Sequence, residues 1–177
     1  MNLAIKTRID LNSLDLSMKL KLWIYITFGI TLCLGVGLMA SIATQMSVNT
    51  WYQTLEKPFF TPPSWLFGPV WSLLYILMGI ALGRVIFFIT HDQLDKISLY
   101  YFGGQLLING LWSFIFFGLT NPILGLLVIV ILLFLILRTI KWFRAIDRLS
   151  AQILYPYFIW VIFATLLNAG IVFVNYK

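Results

Sequence analysis

The sequence predicts an all-α integral membrane protein, a bundle of five transmembrane helices with a Pro/Trp-rich loop between helices 1 and 2. The 177-residue chain is 61% hydrophobic and 10% charged, whereas a soluble domain has about 25% charged residues. Several apolar runs are each near the ~20 residues that cross a bilayer as a helix. These runs lack the two-residue alternation of a membrane strand, and a helix satisfies its own backbone groups in lipid.

The predicted elements follow in chain order. Residues 1–18 are mixed and polar, which predicts a disordered or interfacial tail, with a short amphipathic surface helix as the alternative. The membrane domain then covers residues 19–177. Helix 1 is predicted at about 22–43, and its apolar run exceeds the ~7–15 residues of a signal-peptide core, so we expect it to remain uncleaved. Helices 2 to 5 are predicted at about 66–90, 97–117, 123–140 and 150–174.

Residues 51–71, here called the Pro/Trp stretch, join helices 1 and 2. They carry four of the six prolines and three of the seven tryptophans. Proline lacks an N–H and biases the preceding residue away from helix, so a non-helical cap is favoured over a bent helix. A cap so rich in aromatic side chains is costly to leave in water, and we expect it to cover something.

The distribution of Lys and Arg predicts the orientation. Ten of the twelve lie on the side that holds the N-terminus in the five-helix topology, and only Lys57 and Lys177 lie on the other side. The positive-inside rule places the N-terminus in the cytoplasm and the C-terminus outside, with a bacterial cell membrane as the expected host membrane. The net charge of +6 is therefore explained by orientation, and we expect no nucleic-acid partner.

Catalytic and metal-binding constellations are nearly absent from the sequence. The single histidine, His91, follows helix 2 beside Asp92, and we interpret it as a solvated residue rather than a metal ligand. Cys33 is the single cysteine, which excludes an intrachain disulfide. Arg84 falls near the cytoplasmic end of helix 2, where we expect it to extend to the interface. No carboxylate is predicted within the membrane, which argues against a proton-coupled pump.

Aromatic and amide residues recur at helical spacing on three of the predicted helices. Each set shares one helix face, and the sets are Trp71, Tyr75 and Gly79; Gln105, Asn109 and Trp112; and Tyr157, Trp160, Ala164 and Asn168. One interpretation is interhelical hydrogen bonding. The other is a cavity lined by flat rings and a few amides, which the cap above helices 2 and 5 favours.

Small residues leave a second question open. Gly79 and Gly83 form a small-xxx-small motif on helix 2. Helix 3 has three positions without a side chain, at Gly103, Gly104 and Gly110. Such surfaces permit close helix contact. Spacing does not decide whether they pack within the bundle or form a dimer.

The Pro/Trp stretch and its downstream partners resemble the translocator protein family, the tryptophan-rich sensory proteins of bacteria and peripheral benzodiazepine receptors of mitochondria. The resemblance covers about residues 20–176. In the Pro/Trp stretch it rests on Trp51, Tyr52, Leu55, Lys57, Pro58, Thr61, Pro62, Pro63, Trp65, Phe67, Gly68, Pro69, Val70 and Trp71. Further along it rests on Leu74, Tyr75, Met78, Gly79, Gly104, Gln105, Leu106, Asn109, Trp112, Phe116, Phe117, Gly118, Tyr155, Pro156, Tyr157, Trp160, Phe163, Ala164, Thr165, Leu167 and Asn168.

The resemblance implies a five-helix bundle, commonly a homodimer, with a ligand cavity under the loop between helices 1 and 2. It implies a receptor or sensor for porphyrins, protoporphyrin IX or haem, or for similar flat lipophilic molecules, with no obligatory cofactor and no metal. By position, the ligand-binding residues would be Tyr52, Pro62, Phe67, Trp71, Asn109, Trp112, Trp160 and Ala164. Trp71 and Trp160 match tryptophans tied to porphyrin photochemistry, and would be oxidisable partners if light-dependent degradation occurs.

Three positions depart from the family pattern. Phe60 stands where many members have Trp, Val128 stands where many carry an acidic residue, and the tail after Asn168 lacks a cholesterol-recognition pattern. The last departure makes specific sterol binding less expected. Two other functions remain open at this point: a transporter or exporter of tetrapyrroles or lipids, and a membrane scaffold whose aromatic faces serve packing only.

Overall fold

The computed structural model describes residues 15–92 and 94–176, and within these residues the regular structure is entirely helical. The prediction of an all-α fold is confirmed. The α-helices, numbered in chain order, are α1 (Leu16–Ser47), α2 (Trp51–Thr54), α3 (Phe67–Asp92), α4 (Ile97–Ser113), α5 (Pro122–Ile146), α6 (Arg148–Ile153) and α7 (Tyr155–Asn175). A 3₁₀ turn covers Ser64–Leu66 and a π-helical segment covers Phe114–Gly118.

The first helix begins earlier than the apolar run does. Asp15 caps α1, since its carboxylate accepts a hydrogen bond of 2.7 Å from the N–H of Met18, as side chains at this position commonly do. Residues 16–18, which the sequence pattern assigns to the polar tail, are therefore helical. The rest of that predicted tail, residues 1–14, lies outside the described residues.

Helices α1 and α3 pack with their backbones in close contact. A Cβ added at Gly79 would overlap the backbone of Ile30, and one at Gly83 would overlap the backbone of Ile26. Gly29 lies equally close to Gly79 from the α1 side. The small-residue motif of α3 is therefore used within the bundle, between α1 and α3.

Local backbone chemistry interrupts the other helices. Helix α4 continues into the π-helical segment, and Asn121 then caps α5 by accepting a 2.9 Å hydrogen bond from Leu124 N–H. The predicted helix over 150–174 is in fact two helices, α6 and α7, divided at Leu154. Pro156 is the second residue of α7, and because it has no N–H to donate to the preceding turn, it ends the hydrogen-bond pattern of α6.

The long helices form one bundle in which α1 contacts α3 and α4, α4 contacts α5, and α5 contacts α7. Four helical segments of the described chain are long and apolar enough to cross a membrane: Leu16–Ser47, Ser64–Asp92, Pro122–Ile146 and Arg148–Asn175. Helix α4 has 17 residues. Large hydrophobic side chains such as Trp23, Phe134 and Leu166 are exposed around the outside, as expected of a multi-pass membrane protein.

An ion pair joins α3 to the junction between α5 and α6. Arg84 Nε donates a 2.8 Å hydrogen bond to Asp147 Oδ2, and both side chains are largely buried. Asp147 also caps α6, accepting from the N–H and the hydroxyl of Ser150. Our expectation that Arg84 extends to the interface was wrong, because the carboxylate of Asp147 meets its guanidinium inside the bundle.

Candidate functional site

A cavity of about 400 Å³ lies between the Pro/Trp stretch and the ends of the helices beneath it. Among the described residues, its wall combines side chains of α1, α2, α3, α4, the π-helical segment and α7. No charged side chain is among these lining residues, which are Leu34, Gly37, Leu38, Ala40, Ser41, Thr44, Gln45, Val48, Tyr52, Ser64, Phe67, Gly68, Trp71, Ser72, Tyr75, Trp112, Ser113, Phe116, Phe117, Ala164, Leu167, Asn168 and Ile171. The cavity suits the apolar face of a ligand whose charged groups, if it has any, lie outside the cavity.

Five of the eight predicted ligand-binding residues line this cavity, namely Tyr52, Phe67, Trp71, Trp112 and Ala164. The structure thus brings together side chains from four separate elements. Pro62, Asn109 and Trp160 are not among the lining residues. That any of the eight contacts a ligand stays a prediction.

The amide of Asn109 lies behind the cavity wall, in a chain of buried hydrogen bonds. Tyr75 donates to Asn109 Oδ1, Asn109 Nδ2 donates to the Tyr157 hydroxyl at 3.0 Å, and Tyr157 donates to Gln105 Oε1 at 2.8 Å. These bonds link α3, α4 and α7. For Asn109 and Gln105 the interpretation as interhelical hydrogen-bonding residues is therefore the one that the contacts support.

A second pair of hydrogen bonds fixes Trp112 and Asn168 at the cavity surface. The Trp112 indole N–H donates to Asn168 Oδ1 at 3.3 Å, and Asn168 Nδ2 donates to the carbonyl of Pro122 at 2.8 Å. Both donors are thereby used inside the protein. Trp112 also stacks on Phe116, 5.3 Å away between ring centroids, and both residues line the cavity.

Trp71 forms the junction between the cavity wall and the buried hydrogen-bond chain. Its ring centroid lies 5.8 Å from that of Tyr75 and 6.4 Å from that of Tyr157. These are the separations at which aromatic rings attract one another. The indole of Trp71 is therefore held in place by two tyrosines whose hydroxyls belong to the same hydrogen-bond chain.

Trp160 lies on the other side of Phe67 from the cavity. The Phe67 and Trp160 ring centroids are 6.0 Å apart in an edge-to-face arrangement. Trp160 lines a separate apolar groove of about 580 Å³ together with Val70, Leu73, Leu74, Pro156, Ile159 and Phe163. Its indole Nε1 is buried and has no hydrogen-bond partner within the described residues.

The Pro/Trp stretch is attached to the end of α7. Glu56 N–H donates to Asn175 Oδ1 at 3.0 Å, and Asn175 Nδ2 donates back to the Glu56 carbonyl at 2.9 Å. The Pro58 ring packs directly on Gly170, where an added Cβ would overlap it. Two residues of the attached stretch, Tyr52 and Ser64, line the cavity, and that the stretch covers a ligand stays a prediction.

Lys57 and Phe60 of the stretch lie beside the cavity rather than in its wall. Lys57 Nζ lies 4.9 Å from the centroid of the Tyr52 ring, a distance typical of a cation–π contact. Burial raises the pKa of Tyr52 above its ordinary value, so its phenol remains neutral. Phe60 is 40% exposed and packs edge-on against Phe163 on α7, 6.3 Å between centroids.

The sequence interpretation missed the contribution of α1. Four residues in the C-terminal part of α1 or just after its end line the cavity at intervals of four, three and four residues, which is the spacing of one helix face. They are Gly37, Ser41, Thr44 and Val48. Gly37 leaves room for the Tyr75 ring, since an added Cβ would lie 2.5 Å from it. The sequence signal that could have predicted this part of the cavity wall was the run of small and hydroxyl-bearing residues in an otherwise apolar helix.

Comparison with known proteins agrees with this architecture. A sequence model of the TspO/MBR family matches residues 29–174. The chain is 43% identical to the tryptophan-rich protein TspO of Archaeoglobus fulgidus over 148 residues, which covers 80% of this chain and 91% of that protein. It is 31% identical to the tryptophan-rich sensory protein of Cereibacter sphaeroides over 139 residues, 78% of this chain and 85% of that one.

A human relative is similar over a comparable length. The chain is 36% identical to the human translocator protein over 124 residues, or 67% of this chain and 70% of the human protein. The family match includes every residue that lines the cavity. The chain belongs to the TspO/MBR family of multi-pass membrane proteins.

Proposed function

We propose that the protein is a membrane receptor or sensor that binds porphyrins, such as protoporphyrin IX or haem, and similar flat lipophilic molecules in the cavity under the Pro/Trp stretch. The observation that carries this proposal is the uncharged cavity of about 400 Å³ walled by Tyr52, Phe67, Trp71, Trp112 and Phe116. Small-molecule sites are typically apolar, aromatic-rich and of about 300–1,000 Å³. Flat ring faces on several sides favour a flat ligand.

The membrane arrangement that we propose has five spans. Helix α4 with its π-helical continuation covers Ile97–Gly118, which is close to the ~20 residues that a span requires. From the distribution of basic residues we propose an N-terminus in the cytoplasm, the Pro/Trp stretch on the opposite side and a bacterial cell membrane as the host membrane. A homodimer is part of the proposal, and the α1–α3 glycine contact, being used within the bundle, is not its interface.

A scaffold without a ligand is the less favoured function. Such a protein needs no interior space, and close packing is the rule in protein interiors. The cavity of about 400 Å³ has the size of small-molecule sites, which favours a receptor. Light-dependent porphyrin degradation, with Trp71 and Trp160 as oxidisable partners, is a further activity that the ligand-bound protein would support, and in it the reactive species would come from the excited porphyrin.

Titration of the purified protein with protoporphyrin IX tests the proposal. We expect the porphyrin emission to change in a saturable way, and Trp71→Phe to weaken the binding by about 2- to 10-fold, because aromatic contacts contribute about 0.5–1.5 kcal/mol. Trp65→Phe is the matched control, since Trp65 belongs to the same stretch but is 71% exposed. Porphyrin emission that does not change on titration would rule out the proposed function.

A further inference from the structure

A second cluster of aromatic and basic side chains lies far from the cavity, where α4 meets the last turns of α5. The Arg138 guanidinium carbon lies 5.3 Å from the centroid of the Tyr101 ring, and Arg138 Nη2 lies 3.5 Å from the Tyr101 hydroxyl. The Trp142 ring stacks on Tyr101 with centroids 6.5 Å apart and an interplanar angle of 14°. Tyr101 on α4 therefore contacts both Arg138 and Trp142 on α5.

Two hydrogen-bond donors of this cluster are buried without a partner. Arg138 Nε and Trp142 Nε1 each lack an acceptor in the described part of the chain. Buried donors of this kind are rare in proteins, and one of these belongs to a permanently charged group. The ion pairs formed by the described residues are Arg84 with Asp147 and His91 with Asp92, so no carboxylate among them neutralises Arg138.

The position of the cluster along α5 indicates what kind of acceptor is within reach. At about 1.5 Å per residue, Arg138 lies roughly 24 Å along the helix from Pro122, where α5 begins. A hydrocarbon layer is about 30 Å thick. With Pro122 taken as its far boundary, the Arg138 backbone lies about one helical turn inside the headgroups. A long basic side chain at that depth extends to the interface, where phosphate oxygens are the abundant acceptors.

We propose that Tyr101, Arg138 and Trp142 form a binding site for the phosphate of an anionic phospholipid headgroup in the leaflet at the C-terminal end of α5. The guanidinium supplies a charge-assisted hydrogen bond. The indole N–H, whose nitrogen is covered by protein atoms in this structure, supplies a second donor when the Trp142 ring turns toward the headgroup. The Tyr101 hydroxyl accepts from Arg138 and so keeps its own hydrogen to donate. Lys141, which is exposed just beyond the cluster, favours a net negative lipid over a zwitterionic one.

The same chemistry would suit a free phosphate ion, and the depth of the cluster is what favours the lipid. Trp142 and Tyr101 have the amphipathic rings that are enriched at membrane interfaces. A soluble phosphate would have to enter the edge of the hydrocarbon layer, whereas a lipid headgroup is already there. The site is distinct from the cavity, to which none of its residues contributes.

The test counts lipids retained by the full-length protein. Protein reconstituted in nanodiscs of mixed phosphatidylglycerol and phosphatidylcholine would be released in the gas phase and its bound lipids measured by native mass spectrometry. We expect Arg138→Gln to lower retention of phosphatidylglycerol about tenfold, as loss of a hydrogen bond to a charged group does. Arg144→Gln is the matched control, because it removes the same charge from an exposed position further along α5.

Trp142→Phe keeps an aromatic ring and every charge and removes the unpartnered donor, so it tests the site even if the Arg138 variant does not fold. We expect it to lower retention several-fold. Equal loss of lipid in Arg138→Gln and Arg144→Gln, or no loss in Trp142→Phe, would overturn the proposal. Displacement of the lipid by millimolar inorganic phosphate would also overturn it in favour of a soluble anion.

Discussion

Trp71 and Trp160 occupy different surroundings although both were predicted to contact the ligand. Trp71 lines the cavity and contacts the rings of Tyr75 and Tyr157. Trp160 is separated from the cavity by Phe67 and faces the outer groove. A ligand in the cavity would therefore touch one indole directly and reach the other only through a phenyl ring.

This difference leads to a prediction for photochemistry. When the protein is illuminated with bound protoporphyrin IX, we expect Trp71→Phe to slow the appearance of porphyrin product more than Trp160→Phe does, because electron transfer weakens with separation. Absorption spectra recorded during illumination would measure the product. Trp65→Phe serves as the control. A larger effect of Trp160→Phe would place the ligand in the outer groove instead.

At the scale of residues, spacing predicted which faces turn inward but not which of their members reach the cavity. Asn109 and Trp112 are three residues apart on one face of α4. The Asn109 side-chain amide forms hydrogen bonds with two tyrosine hydroxyls, however, while Trp112 lines the cavity. The distinction depends on which side chains of α3 and α7 stand opposite. That information is tertiary, so a helical pattern does not contain it.

The contact between α1 and α3 depends on glycine because backbone meets backbone there. We expect Gly83→Ala to lower the free energy of unfolding by about 1–3 kcal/mol, since a methyl group would overlap the backbone of Ile26 and Tyr25 and push the helices apart. Thermal unfolding in detergent, followed by the loss of the monodisperse peak, measures the change.

Gly103→Ala is the matched control for this prediction. Gly103 is also in a long helix, but a Cβ there meets nothing within 4 Å. Alanine is the better helix former by up to about 1 kcal/mol, so this variant should be neutral or slightly more stable. Equal destabilisation by both substitutions would contradict the assigned role of the α1–α3 contact.

The Arg84–Asp147 pair predicts a dependence of stability on pH. Burial by itself raises the pKa of the Asp147 carboxyl, but the hydrogen bonds from Arg84 and Ser150 and the charge of Arg84 lower it by more, so the pKa lies below its ordinary value of 3.8. A carboxyl with a depressed pKa in the folded state stabilises the protein above its unfolded pKa. That stabilisation is lost as the pH falls through the folded value.

We therefore expect the thermal midpoint of the wild type to fall more steeply than that of Asp147→Asn as the pH drops below 3.8, the ordinary pKa of the carboxyl. At neutral pH the same substitution should cost about 1.5–3 kcal/mol, as loss of hydrogen bonds to a charged group does. Thermal unfolding at a series of pH values measures both effects. Asp95→Asn is the control, because Asp95 is exposed and forms no ion pair within the described residues. Parallel pH curves for wild type and Asp147→Asn would contradict the role of the pair.

At the scale of elements, hydropathy predicted each long helix. The errors are in the helix boundaries, which depend on capping side chains and on proline. The cap at Asp15 starts α1 ahead of its apolar run, and Pro156 divides the last span into α6 and α7. The proline signal was readable in the sequence. The π-helical segment was not, because the residues that form it, Phe114–Gly118, are as apolar as those of the helix before it.

For the whole molecule, the sequence predicted the helical membrane fold by apolar length and five of the cavity-lining residues by their spacing on helix faces: Trp71, Tyr75, Trp112, Ala164 and Asn168. It did not predict the part of α1 in the cavity, nor that Arg84 is neutralised by Asp147. Both depend on contacts between residues distant along the chain. The composition of the Pro/Trp stretch predicted a non-helical cap over residues 51–71, but Trp51–Thr54 is helical and α3 already begins at Phe67.

The orientation in the membrane is a property of the whole chain and has a direct test. Cys33 is buried and is the single cysteine, so a Cys33→Ala background leaves no native thiol. On that background, the single substitutions Thr54→Cys in the Pro/Trp stretch and Arg148→Cys at the basic end would be treated in intact cells with a membrane-impermeant maleimide. Because the sequence predicts ten of the twelve basic residues on the side that holds Arg148, we expect the reagent to label Thr54→Cys only, and to label Arg148→Cys once the cells are permeabilised. Labelling of Arg148→Cys in intact cells would reverse the proposed orientation and place the cover of the cavity in the cytoplasm.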